Sequence, residues 1–433
     1  MKKDSITFRI LLILGVVFIL FIPLNMIQSL IFERQGYRNE AVQEIYKSWA
    51  GEQTVAGPIL TVEKTFTYTN KEGEKTSTKY YTHYLPENLE IECQLIPEIR
   101  YRGIYEVVLY KSKIKIKGNF PLIKDPKENL NNLSSIEKYI SYNISDLRGI
   151  EENVKLKINE SDLTVTPGLK NSGVFNNGFS STINFNENDL LSFSAEINLR
   201  GSSSIEFVPL GKMTKVKMRS DWKNPSFVGS YLPTSREVTE KGFSSNWKIN
   251  HFNREYPQIW TNRDYEIFKS TFGVKLLMPV DEYQKTTRTS KYGVMIILLT
   301  FLSFFMIEIF SKKVIHPIQY LLVGLSLVIF YSLLLSISEY IVFKYSYLVS
   351  SVLIIVLIGL YIKSIYSSFK IGLMITLILI LFYGLMYIIL QLQDYALLFG
   401  NISLFTILAV IMYLTRKLNW FEVLSNKNNT NNN

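Results

Sequence analysis

The chain has one cysteine, Cys93, in 433 residues. It can form no intrachain disulfide, so any soluble part must stand on an apolar core. Within Glu90-Ile91-Glu92-Cys93 the thiol reads as a buried strand residue, because free cysteine behaves as a small hydrophobe. Histidine is almost as scarce: His83, His251 and His316 lie far apart. No CxxC, HExxH, Walker or GxSxG arrangement occurs. The metal, phosphate and nucleophile-elbow chemistries that announce themselves by local spacing are therefore not signalled. A nucleophile and base brought together only by the fold would leave no such trace. The sequence assigns no catalytic residue, no cofactor and no metal ligand. Charge of one sign is also not abundant where it would matter. The net +10 splits into +4 over residues 33–292 and +6 over the remainder, so nucleic acid is not implied.

What the chain has in quantity is long apolar runs. They are Phe8–Ile31, Val294–Phe310, Ile318–Ile337, Tyr347–Ile362, Ile371–Leu390 and Ala396–Leu414. A hydrocarbon core ~30 Å thick takes about 20 apolar residues as helix, because backbone amides find no water there. The reading is a membrane protein with six spans, one N-terminal and five C-terminal, and a large soluble domain between the first and second. A mean hydropathy of +0.12 with 47% hydrophobic residues is the average of these two kinds of sequence. Pro23-Leu24-Asn25 and Gln28 offer no small-x-small cleavage pattern, so the first run is expected to stay as an uncleaved signal anchor.

The cations sort by loop. Lys2, Lys3 and Arg9 precede span one, Lys312 and Lys313 follow span two, and Lys363 and Lys370 join spans four and five. Arg416, Lys417 and Lys427 follow span six, whereas the alternate loops hold only Lys344 with Glu339, and Asp394. Short cation-rich loops stay cytoplasmic. This predicts a multi-pass membrane protein with both termini in the cytoplasm. The expected divisions are a cytoplasmic N-terminus (1–7), a first transmembrane helix (8–31), an extracytoplasmic mainly-β domain (32–292), a five-helix transmembrane bundle (293–415) and a cytoplasmic disordered tail (416–433). Arg34 and Arg38 beyond span one pull the other way, and the remaining loops decide.

After span one, Tyr37, Ala41, Val42, Ile45 and Tyr46 keep helical spacing, so the helix is expected to continue and to end before Gly51. From Ile59 the period shortens to two. Lys113-Ile114-Lys115-Ile116-Lys117, Lys155-Leu156-Lys157-Ile158 and Lys215-Val216-Lys217-Met218-Arg219 alternate strictly, which places apolar groups on one sheet face and charges on the other. Turn chemistry at Asn70–Gly73, Asn176-Asn177-Gly178 and Arg200-Gly201-Ser202 separates the runs. The expectation is a mainly antiparallel, β-sandwich-like domain of one module or two, with a helical interlude near Ser134–Ile144. The basic stripes on Lys113/Lys115/Lys117 and Lys215/Lys217/Arg219 suit either anionic headgroups or envelope polymer, or a solvated face that discourages edge pairing.

Charge placed in lipid is costly and is tolerated with a partner or a purpose. The candidates on this ground are Glu308 in the last turn of span two, His316 and Gln319 at the start of span three, and Glu339 at its far end. Glu308 could pair with Lys312 one turn on. Gly324, Ser326, Ser332 and Ser336 in span three are small groups that permit close helix packing. Asn401 lies within span six.

Several runs resemble the CreD family of bacterial inner-membrane proteins, also described as cell-envelope integrity proteins. They are Phe272-Gly273-Val274, Pro279–Gln284 with Arg288, and His316-Pro317-Ile318-Gln319-Tyr320-Leu321-Leu322-Val323-Gly324-Leu325. Glu33-Arg34, Tyr37-Arg38, Gly57-Pro58-Ile59, Ser220-Asp221-Trp222 and Arg236-Glu237-Val238 agree as well. The likeness covers the whole chain, departing near Asn250–Lys269 and in the Asn-rich tail Asn426–Asn433. Asp281 and Arg288 join the candidates through these motifs. The resemblance implies a multi-pass protein of the bacterial inner membrane with its large central domain (32–292) periplasmic, and a link to a two-component regulatory system, to colicin tolerance, and to β-lactam and biofilm phenotypes. It brings no catalytic residues. The expected function is support of cell-envelope integrity and the envelope-stress response, without catalysis, with the lipid bilayer and envelope components as partners. The alternatives are a transporter or lipid-handling enzyme whose polar path is lined by Glu308, His316, Gln319 and Glu339, and a sensory partner of a regulatory kinase.

Overall fold

A computed structural model describes residues 6–69, 74–122, 132–171, 173–185, 190–278, 282–311, 313–392 and 395–416. The chain forms two compact units, Met1–Arg38 with Val280–Asn433, and Asn39–Pro279. The expected sites Asp281, Lys312 and Asp394, and the tail Asn426–Asn433, lie outside the described residues.

The helical unit is built from apolar runs that have no use for water. It contains most of α1 (Ile6–Trp49), then α2 (Glu282–Lys291), α3 (Gly293–Ser311), α4 (Pro317–Ser338), α5 (Phe343–Tyr366), α6 (Phe369–Gln391) and α7 (Ala396–Thr415). Five of these, α1 and α3 to α6, are long and apolar enough to cross a membrane. The sixth expected span corresponds to α7, whose apolar stretch Leu398–Tyr413 is shorter. Leu20, Leu24, Phe301, Leu327, Phe330 and Tyr331 share one buried cluster with residues of α5 and α6. Gly324 is required by that packing: a Cβ there would lie 2.1 Å from Leu20 Cδ1. The small residue lets α1 approach α4 closely.

Among the described residues the second unit holds seventeen strands. The first are β1 (Gln53–Thr69), β2 (Lys75–Tyr84), β3 (Asn88–Arg102), β4 (Tyr105–Asn119), β5 (Leu133–Ile144) and β6 (Lys155–Ile158). Next come β7 (Ser161–Leu163), β8 (Thr166–Pro167), β9 (Gly178–Thr182), β10 (Ser192–Ser202), β11 (Ser204–Phe207) and β12 (Met213–Ser220). The last are β13 (Pro225–Gly229), β14 (Ser235–Thr239), β15 (Gly242–Asn250), β16 (Ile259–Thr261) and β17 (Phe272–Leu276). One sheet runs β13-β17-β11-β1-β5-β9-β8, with β2 and β16 continuing from β1. The other runs β14-β15-β12-β3-β4-β10-β6-β7. Pairing is antiparallel except at β1–β11 and β3–β12. Alternation does what the sequence requires: Leu89, Ile91, Cys93 and Leu95 point inward while Glu90, Glu92 and Gln94 face solvent. Inward residues of both sheets form one hydrophobic cluster, and Cys93 sits within it, its thiol pKa pushed up by burial.

The segment Ser134–Ile144 is not helical. It is strand β5, paired along β1 from Val55↔Ile144 to Phe66↔Leu133 and with β9 on its other side. Long-range ladders on two flanks override the local spacing that suggested a helix.

The last turns of α1 belong to this unit and are tied to it. Glu44 pairs with Arg102, and Arg148 donates to the Lys47 carbonyl at 2.6 Å, satisfying a helix-end acceptor. The guanidinium groups of Arg100 and Arg200 lie 5.1 and 4.7 Å from the Trp49 ring centre. Next to them, buried Gln53 links the two sheets. Its Nε2 donates to the carbonyls of Asp146 and Arg200, both at 3.0 Å. Its Oε1 accepts from the Ser145 hydroxyl at 3.1 Å and the Asp146 N–H at 3.2 Å. Gly201 is glycine because a Cβ would fall 2.8 Å from Gln53 Cγ and 2.3 Å from the Tyr110 hydroxyl. Replacing Gln53 by Leu strands several buried groups at 1–3 kcal/mol each. Denaturant unfolding of the detergent-solubilised chain, followed by tryptophan fluorescence, should show a loss of about 2–4 kcal/mol.

His83 is a second point of dependence. It is buried, with its Nδ1 2.9 Å from Thr61 Oγ1 and its ring 5.3 Å from that of Trp260. Burial holds its pKa down to about 4, against 6.5 ordinarily. The unfolded chain therefore binds the extra proton first as pH falls. This stabilisation is fully present above pH 6.5 and is lost as pH drops toward 4, amounting to about 3 kcal/mol across that window. Unfolding free energies measured at intervals from pH 7 to 4 should show this slope in the parent and a flatter one in His83→Gln.

Candidate functional site

Glu308 is the one carboxylate within α3, and it is only 5% exposed. A bare carboxylate there would be strongly disfavoured. Both of its oxygens are occupied. Arg9 Nη1 of α1 lies 2.9 Å from Oε1, and the Tyr320 hydroxyl of α4 donates to Oε2 at 3.1 Å. Tyr320 is fixed by edge-to-face packing on Phe301, with ring centres 5.3 Å apart. Three helices thus meet at one charge cluster. A cavity of about 140 Å³ adjoins it, lined by Phe8, Arg9, Glu308, His316, Pro317 and Tyr320 among others. At ~30 Å³ per water, it has room for about four.

The run His316-Pro-x-Gln is a helix start. His316 is the N-cap of α4, its Nδ1 accepting from the Ile318 N–H at 3.3 Å. Gln319 Oε1 accepts from the His316 N–H at 3.0 Å. Pro317 occupies the first turn, where its missing N–H costs nothing. The two side chains satisfy reciprocal orphan donors, an accepting Nδ1 leaving the proton of a neutral ring on Nε2. Lys313 extends the same end of the unit, donating to the Ile365 carbonyl and so placing a cation at the C-terminus of α5.

Glu339 sits at the opposite end of α4 as its C-cap. A carboxylate is unfavourable beside a helix C-terminus, and here Arg34 Nε of α1 stands 3.7 Å away. Arg9 and Arg34 are 25 positions apart on one helix, about 37 Å at 1.5 Å per residue. That exceeds the ~30 Å hydrocarbon core, so each pair falls at a polar margin.

Glu308, His316 and Gln319 are therefore brought together, with Glu339 at the far end of the same helix. Arg288 is exposed on α2, and Asn401 is exposed on α7. Lys312, offered by the sequence as a partner to Glu308, lies outside the described residues; among those described, Arg9 and Tyr320 hold the carboxylate. Arg9 and Arg34 were counted only as loop charges, although a cation and an anion at matching depths on two spans signal a pair. Among the described residues no group of three His, Cys, Asp or Glu side chains is arranged to hold a metal. Neutralising Arg9 or Glu308 alone leaves the other charge without its ionic partner, Glu308 buried and Arg9 partly so. Each single change should cost about 2–4 kcal/mol in detergent, and the double change markedly less than their sum, by about 1–3 kcal/mol. Additive losses would refute the pair.

A family model described as "Inner membrane protein CreD" matches residues 5–421. The chain is 32% identical over 431 residues to the inner membrane protein CreD of Escherichia coli (strain K12), covering 97% of this chain and 95% of that relative.

Proposed function

Because the chain belongs to the CreD family of inner membrane proteins, we propose that it supports the integrity of the bacterial envelope without catalysing a reaction, with both termini cytoplasmic and the β unit periplasmic. The observation that supports this reading most is the double clamp on α1. Arg9–Glu308 and Arg34–Glu339 bracket a membrane thickness, so α1 is a fixed member of the helical unit. Charges engaged with one another at helix ends suit an anchor more than a turnover site. The orientation rests on the loop cations, which favour the cytoplasmic side.

A second reading is favoured by one feature, the cavity beside Glu308: a transporter or lipid-handling protein would use the carboxylate itself. A charge swap separates the two. If the pair is an anchor, Arg9→Glu with Glu308→Arg should restore resistance to detergent and cell-wall antibiotics that either single change lowers. If the carboxylate acts on a passing group, the swap at normal protein level should stay defective. Orientation is tested by labelling. Leu232 is 71% exposed while Cys93 is 3% exposed, so Leu232→Cys supplies the accessible thiol. A membrane-impermeant maleimide should modify it in intact cells after outer-membrane permeabilisation, and labelling only after inner-membrane lysis would place the β unit in the cytoplasm.

A further inference from the structure

The two basic stripes lie side by side on the second sheet with one strand between them. Pairing aligns Lys215, Glu90 and Lys117 in a row across β12, β3 and β4, then Lys217, Glu92 and Lys115, then Arg219, Gln94 and Lys113. All nine side chains are on the exposed face. In the first two rows a carboxylate separates the cations. In the third the middle position is Gln, and the charge is uncompensated there.

In the first row Glu90 holds Lys215 at 3.0 Å, and in the second Glu196 holds Lys115 at 3.5 Å. Among the described residues, Lys117 and Lys217 are in no ion pair, and in the third row neither Arg219 nor Lys113 is. The carboxylates on either flank are Glu152, which accepts from Asn198 Nδ2 at 2.9 Å, and Glu237, whose strand pairs with Ser244 beside Arg219. At this end of the face is a groove of about 550 Å³ lined by Lys113, Lys115, Lys217, Arg219, Glu92, Gln94 and Cys93.

We infer that this groove binds a phosphodiester-linked anionic polymer, with Arg219, Lys113 and Lys217 contacting its phosphates around Gln94. A guanidinium fork beside two ammonium groups matches phosphate oxygens. The groove is larger than one phosphate. Cations recur every second residue along each strand, about 6.8 Å apart, and the two basic strands are about 9.6 Å apart. A repeating anion meets such a lattice at several points, whereas a single anion uses one. β12 and β4 are interior strands, so protection of a sheet edge does not account for the lysines.

The test uses the full chain in neutral detergent micelles and fluorescence anisotropy of a labelled oligo(glycerol phosphate). Binding should weaken with salt, because displaced counterions favour the complex less as salt rises. Gln94→Glu is nearly isosteric and exposed; it completes the carboxylate column and should reduce affinity about tenfold or more. Lys113→Gln, Lys217→Gln and Arg219→Gln should each weaken binding several-fold, and Glu92→Gln should tighten it. Polyglutamate of equal charge should bind about tenfold more weakly than the phosphodiester. Unchanged affinity in Gln94→Glu, equal affinity for polyglutamate, or binding confined to phosphatidylglycerol vesicles would each overturn the proposal.

Discussion

The helical unit depends on charge that cannot be left alone. α1 shows most of its apolar surface to the outside, with Phe18 77% and Met26 68% exposed, as a lipid-facing helix should. It buries a narrow stripe through Val16, Val17, Leu20 and Leu24, with Ile31 further on. Apolar packing of that width gives little preference for one depth or rotation, since lipid tails are as apolar as leucine. Arg9 on Glu308 and Arg34 on Glu339 provide the preference. Rotating α1, or sliding it by one turn, would separate both pairs and leave buried Glu308 without its cation, at a cost of several kcal/mol. The glycine at 324 follows from this fixed register, because Leu20 occupies the space a side chain would need.

Elsewhere the two units settle their polar groups differently. In the helices, hydroxyls turn back onto their own helix: Ser303 to the Leu299 carbonyl, Ser326 to that of Leu322 and Thr376 to that of Gly372. Only a few reach a neighbour, as Tyr347 does in donating to the Tyr383 carbonyl at 2.7 Å. The β unit works across distance instead. Gln53 and Tyr110 bind backbone carbonyls far away in sequence, and buried Arg254 donates to the carbonyls of Tyr256 and Leu210. A helix satisfies its own amides, so its side chains are free to do little. A sandwich must join two sheets, and its few buried polar side chains carry that load.

This difference explains what could be read from the sequence. The length of the apolar runs marked five membrane-length helices and the shorter α7, and periodicity marked the continuation of α1 to Trp49 and the strands around Lys113–Lys117 and Lys215–Arg219, because each is a local pattern. The exposed and buried faces of those strands followed directly. Ser134–Ile144 was misread because its state is set by β1 and β9, not by its own spacing. The partners of Glu308 and Glu339 were missed for the same reason: Arg9 and Arg34 are remote in sequence, and hydropathy records a charge without its contacts. His316 and Gln319 stood out as residue types suited to chemistry. Their offset of three around a proline is equally the signature of a helix start, and local geometry makes it one.

The basic stripes carry this point furthest. Read along the chain, Lys113-x-Lys115-x-Lys117 and Lys215-x-Lys217-x-Arg219 are interchangeable alternating strands, and Glu90-x-Glu92-x-Gln94 looks like a third of opposite sign. Only the register sets one against another. It shows that the acidic column stops one row before the basic columns do. Charge balance on a sheet is therefore a property of rows, while sequence displays columns. A single amide in place of a carboxylate, silent in any count of composition, leaves Arg219 and Lys113 in the one row of the three with no carboxylate between its cations.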